Sequence, residues 1–208
     1  MSEMPAGEGA DHPNWNLALL PADRGGPDLP ALADALRRFL DLRTGADAPP
    51  ELTKEMLRQI ELLNDELAEH QIPESRQVIG RIDMPGRGQT LIPLIEVHSS
   101  GPDHISATTR FGRYYLGRNG AVYGGAVPLV FDSLLGRLAA SGGRSPSRTA
   151  YLHVDYRAIT PIDADLRVEV RFTREEGRKR YVHGAIYHGE TLCAEAEGLF
   201  IALRPGQP

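Results

Sequence analysis

Residues 123–143 read YGGAVPLVFDSLLGRLAASGG, and the fold turns on them. The apolar spacing and the length of this stretch fit a helix, and Gly142 and Gly143 supply a stop. Pro128 limits where the helix begins, because proline lacks an amide hydrogen and clashes with a preceding helical turn. The first turn is therefore predicted near 124–127, and its leading amides have no intrahelical acceptor. Gly124 and Gly125 let another backbone or a ligand approach closely there. Free amides at the positive end of the helix dipole suit a developing oxyanion.

Asp132 interrupts this apolar run, following Val130 and Phe131 and preceding Leu134 and Leu135. It lies seven residues after Gly125, about two turns on and hence on nearly the same helix face. A partly buried carboxylate in that place can act as general base or nucleophile. Burial without partners costs several kcal/mol, so the residue needs a reason to be there. From the residues alone a structural reading stays open, in which Asp132 reaches a hydrogen-bond donor or the surface.

Strand patterns flank the helix. Upstream, QTLIPLIEVHSS (89–100) and HISATTRFGRYYL (104–116) are rich in alternating and β-branched residues, and GRNGA (117–121) is a turn. Downstream come RTAYLHVDYR (148–157), DLRVEVRFTR (165–174), RKRYVHGAIYH (178–188) and TLCAEAEGLFIAL (191–203). Leu166, Val168, Val170 and Phe172 alternate with Arg167, Glu169, Arg171 and Thr173, so one face of that strand is buried. EEG and HGE suit tight antiparallel connections. The order predicts an α+β domain over 76–204, an antiparallel sheet wrapped around one long helix. Strict alternation places His153 on one face with Thr149, Tyr151, Asp155 and Arg157, within approach of the site. Strand histidines more commonly serve packing or the surface.

The N-terminal third differs. Residues 1–28 are rich in Gly, Pro, Asp and Ala without apolar periodicity and read as a flexible segment. Leu32, Leu36, Phe39 and Leu40 form a helical stripe, with Asp28 as a candidate cap and Gly45 as a stop. Leu52, Met56, Ile60, Leu63 and Leu67 form a second stripe, entered by Pro49 and Pro50. Both stripes read as core packing in a helical extension over 29–75.

Composition narrows the function classes. The net charge of −5 argues against broad nucleic-acid binding, although GRKR (177–180) is a local basic cluster able to contact an anion. The one cysteine, Cys193, excludes a disulfide framework within the chain and a Cys-rich zinc site, and reads as a buried inert thiol. No apolar run reaches the ~18 residues of a membrane span. The N-terminus lacks the features of a secretory signal, so a cytoplasmic protein is expected. The histidines form no metal-ligand spacing, and neither G-x-S-x-G nor a phosphate-loop spacing occurs.

The segment G-x-V-Y-G-G-A-V-P-L-V-F-D-S-L-L-G resembles the hotdog-fold thioesterases of the PaaI and 4-hydroxybenzoyl-CoA thioesterase type. Their signature is roughly G-x-V-H-G-G, a spacer ending in Asp or Glu, and a helix. The likeness continues through the family's T-x-x-L-x-V-x-Y-x-x-P strand, its E-G-R-K turn and its closing A-E-A-x-x-L-F strand, over about residues 85–203. The resemblance implies a hotdog fold and hydrolysis of acyl-CoA to a free acid and CoA. It implies Asp132 as the catalytic carboxylate and the amide of Gly124, helped by Gly125, as the oxyanion donor. Thr149 falls near a Ser or Thr that assists the water in some members. Arg178 and Lys179 fall in the E-G-R-K turn, where they could contact the anionic end of coenzyme A, and a solvated hairpin tip is an equal reading. No metal or redox cofactor is implied. A homodimer or dimer of dimers is expected, with sites shared between subunits and sheets joined edge to edge. Tyr123 replaces the family's histidine and falls at a substrate-binding position. That departure keeps open an alternative, a non-catalytic acyl-thioester-binding or scaffold protein.

Overall fold

The structure, a computed structural model, describes residues 19–204, 206 and 207. Most of the segment read as flexible over 1–28 lies outside the described residues. Among the described residues three α-helices, α1 (Leu29–Gly45), α2 (Pro50–Ala68) and α3 (Val127–Ala139), accompany six strands. The strands are β1 (Ile95–Ser100), β2 (His104–Thr109), β3 (Ser147–Tyr156), β4 (Leu166–Glu176), β5 (Lys179–His188) and β6 (Thr191–Ala202). They form one antiparallel sheet in the order β1-β2-β4-β5-β6-β3. The α+β expectation therefore holds. β4–β5 and β5–β6 are joined by two-residue loops whose first residues, Gly177 and Gly189, have φ of 60° and 56°. Glycine adopts that conformation without steric cost and fits hairpin turns of this length.

The sheet packs on α3. Val127, Val130, Phe131, Leu134, Leu135, Leu138 and Ala139 are buried, and the strands meet them with Val168, Val170, Val182, Ile186 and Phe200. Each such large side chain is worth about 1.5–3 kcal/mol when fully buried. Two strand glycines set the distance of closest approach. A Cβ at Gly184 would stand 3.0 Å from the Phe131 ring, and one at Gly198 would stand 3.2 Å from Leu135.

The strands before α3 are shorter than the pattern predicted. Pairing in 89–100 begins at Ile95, after Pro93, and the run from His104 leaves the sheet after Thr109 for a 3-10 turn over Arg113–Tyr115. Proline cannot donate to a ladder, which ends pairing on its N-terminal side.

The N-terminal helices overturn the packing expected of their stripes. α1 docks through Ala33, Arg37 and Asp41: Arg37 donates to the Gln89 carbonyl at 2.7 Å, and Asp41 accepts the Tyr114 amide at 2.8 Å. Leu32, Leu36 and Phe39 are left exposed. The docking face is held by hydrogen bonds to loop backbone, which an apolar periodicity does not register. α2 has no buried residue, and Leu52, Ile60, Leu63 and Leu67 are all exposed. Asp28 occupies the N-cap position of α1, but its side chain makes no capping bond.

Candidate active site

The turn before α3 is braced from both sides. Asn119 and Gly120 take positive φ, turning GRNGA back so that Val122 bridges Leu116. The Val122 amide donates to the Thr160 carbonyl and the Tyr123 amide to the Tyr115 carbonyl. The chain then enters a 3-10 turn over Gly124–Ala126, which runs into α3 with Pro128 as its second residue. Ala126 is the first amide to turn inward, donating to the Tyr123 carbonyl at 2.8 Å. The Gly124 and Gly125 amides donate to no acceptor among the described residues, as the leading amides of a helical turn must.

Asp132 is exposed, which corrects the expectation of partial burial. The sheet covers only the Val127–Val130–Phe131–Leu134 side of α3, and Asp132 stands on the side left open. It has a partner there: the Thr149 hydroxyl donates to Asp132 Oδ1 at 2.9 Å. β3 brings Thr149 into place through an irregularity in its pairing with β6. Thr149 opposes Phe200 and Tyr151 opposes Leu199, so Ala150 is an extra residue between them. A bulge of this kind re-aims side chains, because the alternation restarts in a new phase.

Its consequences run along the strand. Thr149 faces α3, and after the bulge Leu152, Val154 and Tyr156 face it too. Tyr151, His153 and Asp155 point to the opposite face, where Tyr151 bonds Glu197 at 2.5 Å and His153 lies 3.5 Å from Asp155. Arg157 bridges Asp155 and Glu195 on that face, and its hydrogen bond to Glu195 is the largest influence holding that carboxyl below the ordinary range. His153 therefore does not share a face with Thr149 and does not approach Asp132. The residue that the alternation missed is Tyr156, whose hydroxyl donates to the Gly124 carbonyl at 2.6 Å. The phase change does leave a trace in the sequence: Thr149 to Leu152 is a step of three, whereas Leu152, Val154 and Tyr156 step by two.

The remaining candidates divide. Tyr123 is 65% exposed, and its ring lies over Gly125, where an added Cβ would stand 2.8 Å from the ring. Arg178 and Lys179 are exposed at the β4–β5 turn, and Arg178 donates to the Ala202 carbonyl at 3.0 Å. Lys179 and Arg148 both pair with Ile201, so the turn lies at the Thr149 end of β3. Arg180, the last residue of the GRKR cluster, is not available to an anion. It is 4% exposed and bonds Glu175, the Ala139 carbonyl at the end of α3, and both the carbonyl and hydroxyl of Ser145. Cys193 is buried, as expected, and loss of solvent raises its thiol pKa. Among the described residues no group of His, Cys, Asp and Glu is placed to hold a metal ion. No described helix is long and apolar enough to cross a membrane.

Comparison with known proteins agrees with this architecture. No family model matches the chain. The acyl-coenzyme A thioesterase THEM4 of Rattus norvegicus is 34% identical over 99 residues, which are 47% of this chain and 42% of that protein. The chain thus spans less than half the length of that relative. A solved thioesterase superfamily protein superposes with a TM-score of 0.74 at 24% identity, covering 88% of this chain and 94% of its own. Residues 76–208 alone could not supply that cover, so part of the N-terminal region belongs to the shared fold. Zebra fish thioesterase superfamily member 2 matches with a TM-score of 0.50 at 14% identity, over 52% of this chain and 81% of its own. The Streptococcus mutans UA159 protein smu.793, solved bound to acetyl CoA, matches with a TM-score of 0.50 at 16% identity, over 52% and 88%. The fold is the hotdog fold of thioesterase superfamily proteins.

Proposed function

We propose that the protein hydrolyses acyl-CoA thioesters to a free acid and CoA. The observation that carries this reading is the pairing of Asp132 with Thr149 on the open side of α3, two turns from a helix start with unengaged amides. The similarity to THEM4, an acyl-coenzyme A thioesterase, supports the same chemistry. Thr149 donates to one carboxylate oxygen and leaves the other to take a proton from water as the water adds to the thioester carbonyl, or to attack that carbonyl and form an anhydride that water then hydrolyses. The Gly124 amide, with Gly125 beside it, stabilises the oxygen as it gains charge. The CoA thiolate then departs without help, since a thiol of pKa about 8.5 is a good leaving group. Arg178 and Lys179 lie where an anionic end of CoA can be met.

The site is assembled from two chains in this reading. Eight residues of helix put about 12 Å of axis between Gly124 and Asp132 of one chain. A carbonyl held about 3 Å from donor and from attacking group spans about half of that. The donor comes from one subunit and the carboxylate from its partner. β3 supports such pairing, because it is a ten-residue strand at the sheet edge and, among the described residues, no strand pairs with its outer side. A long open edge of this kind invites a second strand.

Tyr123 in the histidine's place motivates the alternative, an acyl-thioester-binding protein without turnover. The main-chain part of the turn does not depend on that side chain: it is the Tyr123 carbonyl that accepts the Ala126 amide. Hydrolysis assays over short, medium, long and aromatic acyl-CoAs distinguish the two. Turnover that Asp132→Asn abolishes, with unfolding temperature unchanged, supports the thioesterase. Binding without turnover across the panel favours the alternative, and full activity in Asp132→Asn rules out the role given to that carboxylate.

A further inference from the structure

In a regular helix the carbonyl of Gly124 would accept the amide four residues on. That residue is Pro128, which has no amide hydrogen. The start of α3 therefore leaves the Gly124 carbonyl without its α-helical partner, and along the chain only the 3-10 partner, the Val127 amide, is left to it. Tyr156, the last residue of β3, donates its hydroxyl to that oxygen at 2.6 Å. The direction of a carbonyl fixes more than the oxygen. In a trans peptide the C=O and the following N–H lie in one plane and point opposite ways, and the described chain has no cis bond. Holding the Gly124 oxygen thus aims the Gly125 N–H. The preceding peptide is held in the same manner, since the Tyr123 oxygen accepts the Ala126 amide and so aims the Gly124 N–H.

Two consecutive glycines are poorly suited to keeping such a direction alone. Neither has a side chain to restrict its torsions, and a Gly–Gly peptide can rotate through conformations closed to other residues. An added Cβ at Gly124 would have the Tyr156 hydroxyl oxygen as its nearest neighbour, at 3.8 Å, so the tyrosine lies against the turn. We propose that Tyr156 is a positioning residue: it replaces the Pro128 amide, pins the Gly124–Gly125 peptide and keeps the Gly125 N–H directed beside that of Gly124 at the thioester oxygen. The inference rests on the thioesterase reading above. Partial desolvation raises the phenol pKa of Tyr156, so the hydroxyl stays protonated and able to donate across the neutral range.

The test uses the 208-residue wild-type chain and Tyr156→Phe, which keeps the ring and removes the donor. Steady-state hydrolysis of an acyl-CoA is read beside the infrared stretch of a ¹³C-labelled carbonyl in a bound ketone analogue of acyl-CoA, with the thioester sulfur replaced by CH₂. Tyr156→Phe should lower kcat about 10-fold or more at nearly unchanged KM. It should also move the bound carbonyl stretch back towards its value in water while leaving the unfolding temperature near that of wild type. Unchanged kcat and an unchanged stretch overturn the proposal. A lower unfolding temperature with KM raised as much as kcat falls makes Tyr156 a packing residue and overturns it as well. Wild type that hydrolyses no acyl-CoA overturns the thioesterase reading, and the positioning role with it.

Discussion

The Thr149 hydroxyl donates to Asp132 Oδ1 at 2.9 Å, and it can do so because Ala150 is an extra residue in β3. The bond gives the carboxylate one fixed oxygen and leaves one free. A hydrogen bond to a charged group is worth about 1.5–3 kcal/mol, most of it in keeping the group oriented where both ends are partly solvated. Thr149→Val keeps the shape and removes the donor. It is expected to lower kcat for acyl-CoA hydrolysis about 10–100-fold, whereas Thr149→Ser retains most of the rate. Steady-state kinetics on the two variants check this, and a Val variant as active as wild type would falsify the pairing's role.

The amide of Gly124 can be deleted without disturbing its turn. The residue begins a 3-10 turn, whose φ near −60° is that of proline, and Tyr123 before it has φ −55° and ψ 123°, which a following proline accepts. Gly124→Pro is therefore expected to fold with an unfolding temperature close to that of wild type. Its kcat should drop about 10²–10³-fold, the cost of one oxyanion donor. Circular dichroism melts alongside the kinetics separate this from simple misfolding.

The proposal that donor and carboxylate come from different subunits makes a stronger prediction. Asp132→Asn and Gly124→Pro are each expected to be inactive alone. In a subunit-exchanged mixture, half the dimers carry both variants, and each has one of its two sites built from an intact Gly124 and an intact Asp132. Activity should return to about a quarter of wild type. A mixture as inactive as its parents places both groups on one chain.

The helix at 127–139 and the hairpins after it were legible because their determinants are local: apolar period, a proline near the start and glycines in two-residue loops. The candidate site was legible in part, since Gly124 and Asp132 sit on that helix and its approach. What strict alternation could not supply was the phase of β3. One inserted residue exchanges the faces of His153 and Tyr156, and the step of three from Thr149 to Leu152 carries that information only for a reader who allows a bulge. The N-terminal stripes misled for another reason. α1 is held by Arg37 and Asp41 on loop backbone, and those contacts leave no period in the sequence.

Arg180 of β5 bonds the Ala139 carbonyl at the end of α3 and pairs with Glu175 of β4, and that pair implies a pH dependence of stability. The hydrogen bond from Arg180 is the first cause of a lowered Glu175 pKa, with Arg144 adding to it. A carboxyl whose folded pKa lies below its unfolded value of about 4.3 stabilises the fold above that pH. The contribution is lost as pH falls through the folded pKa. Glu175→Gln should therefore melt at a lower temperature than wild type at pH 7, and the difference should shrink towards pH 3. Glu175 is partly exposed, so solvent screening keeps the effect modest. A gap that stays constant or widens in acid assigns the stabilisation to something other than this charge.

Burial separates the apolar residues of α2 from those of α3 by their expected cost. Leu135 is fully buried against Gly198 and Phe200, whereas Leu63 on α2 is 57% exposed. Leu135→Ala removes buried methyl groups and opens a cavity, which costs about 2–5 kcal/mol. Leu63→Ala changes little that is buried and should stay within about 0.5 kcal/mol of wild type. Denaturant unfolding of both variants at two protein concentrations makes the comparison. A loss above about 1 kcal/mol for Leu63→Ala that shrinks on dilution means that α2 spends its apolar face against another copy of the chain.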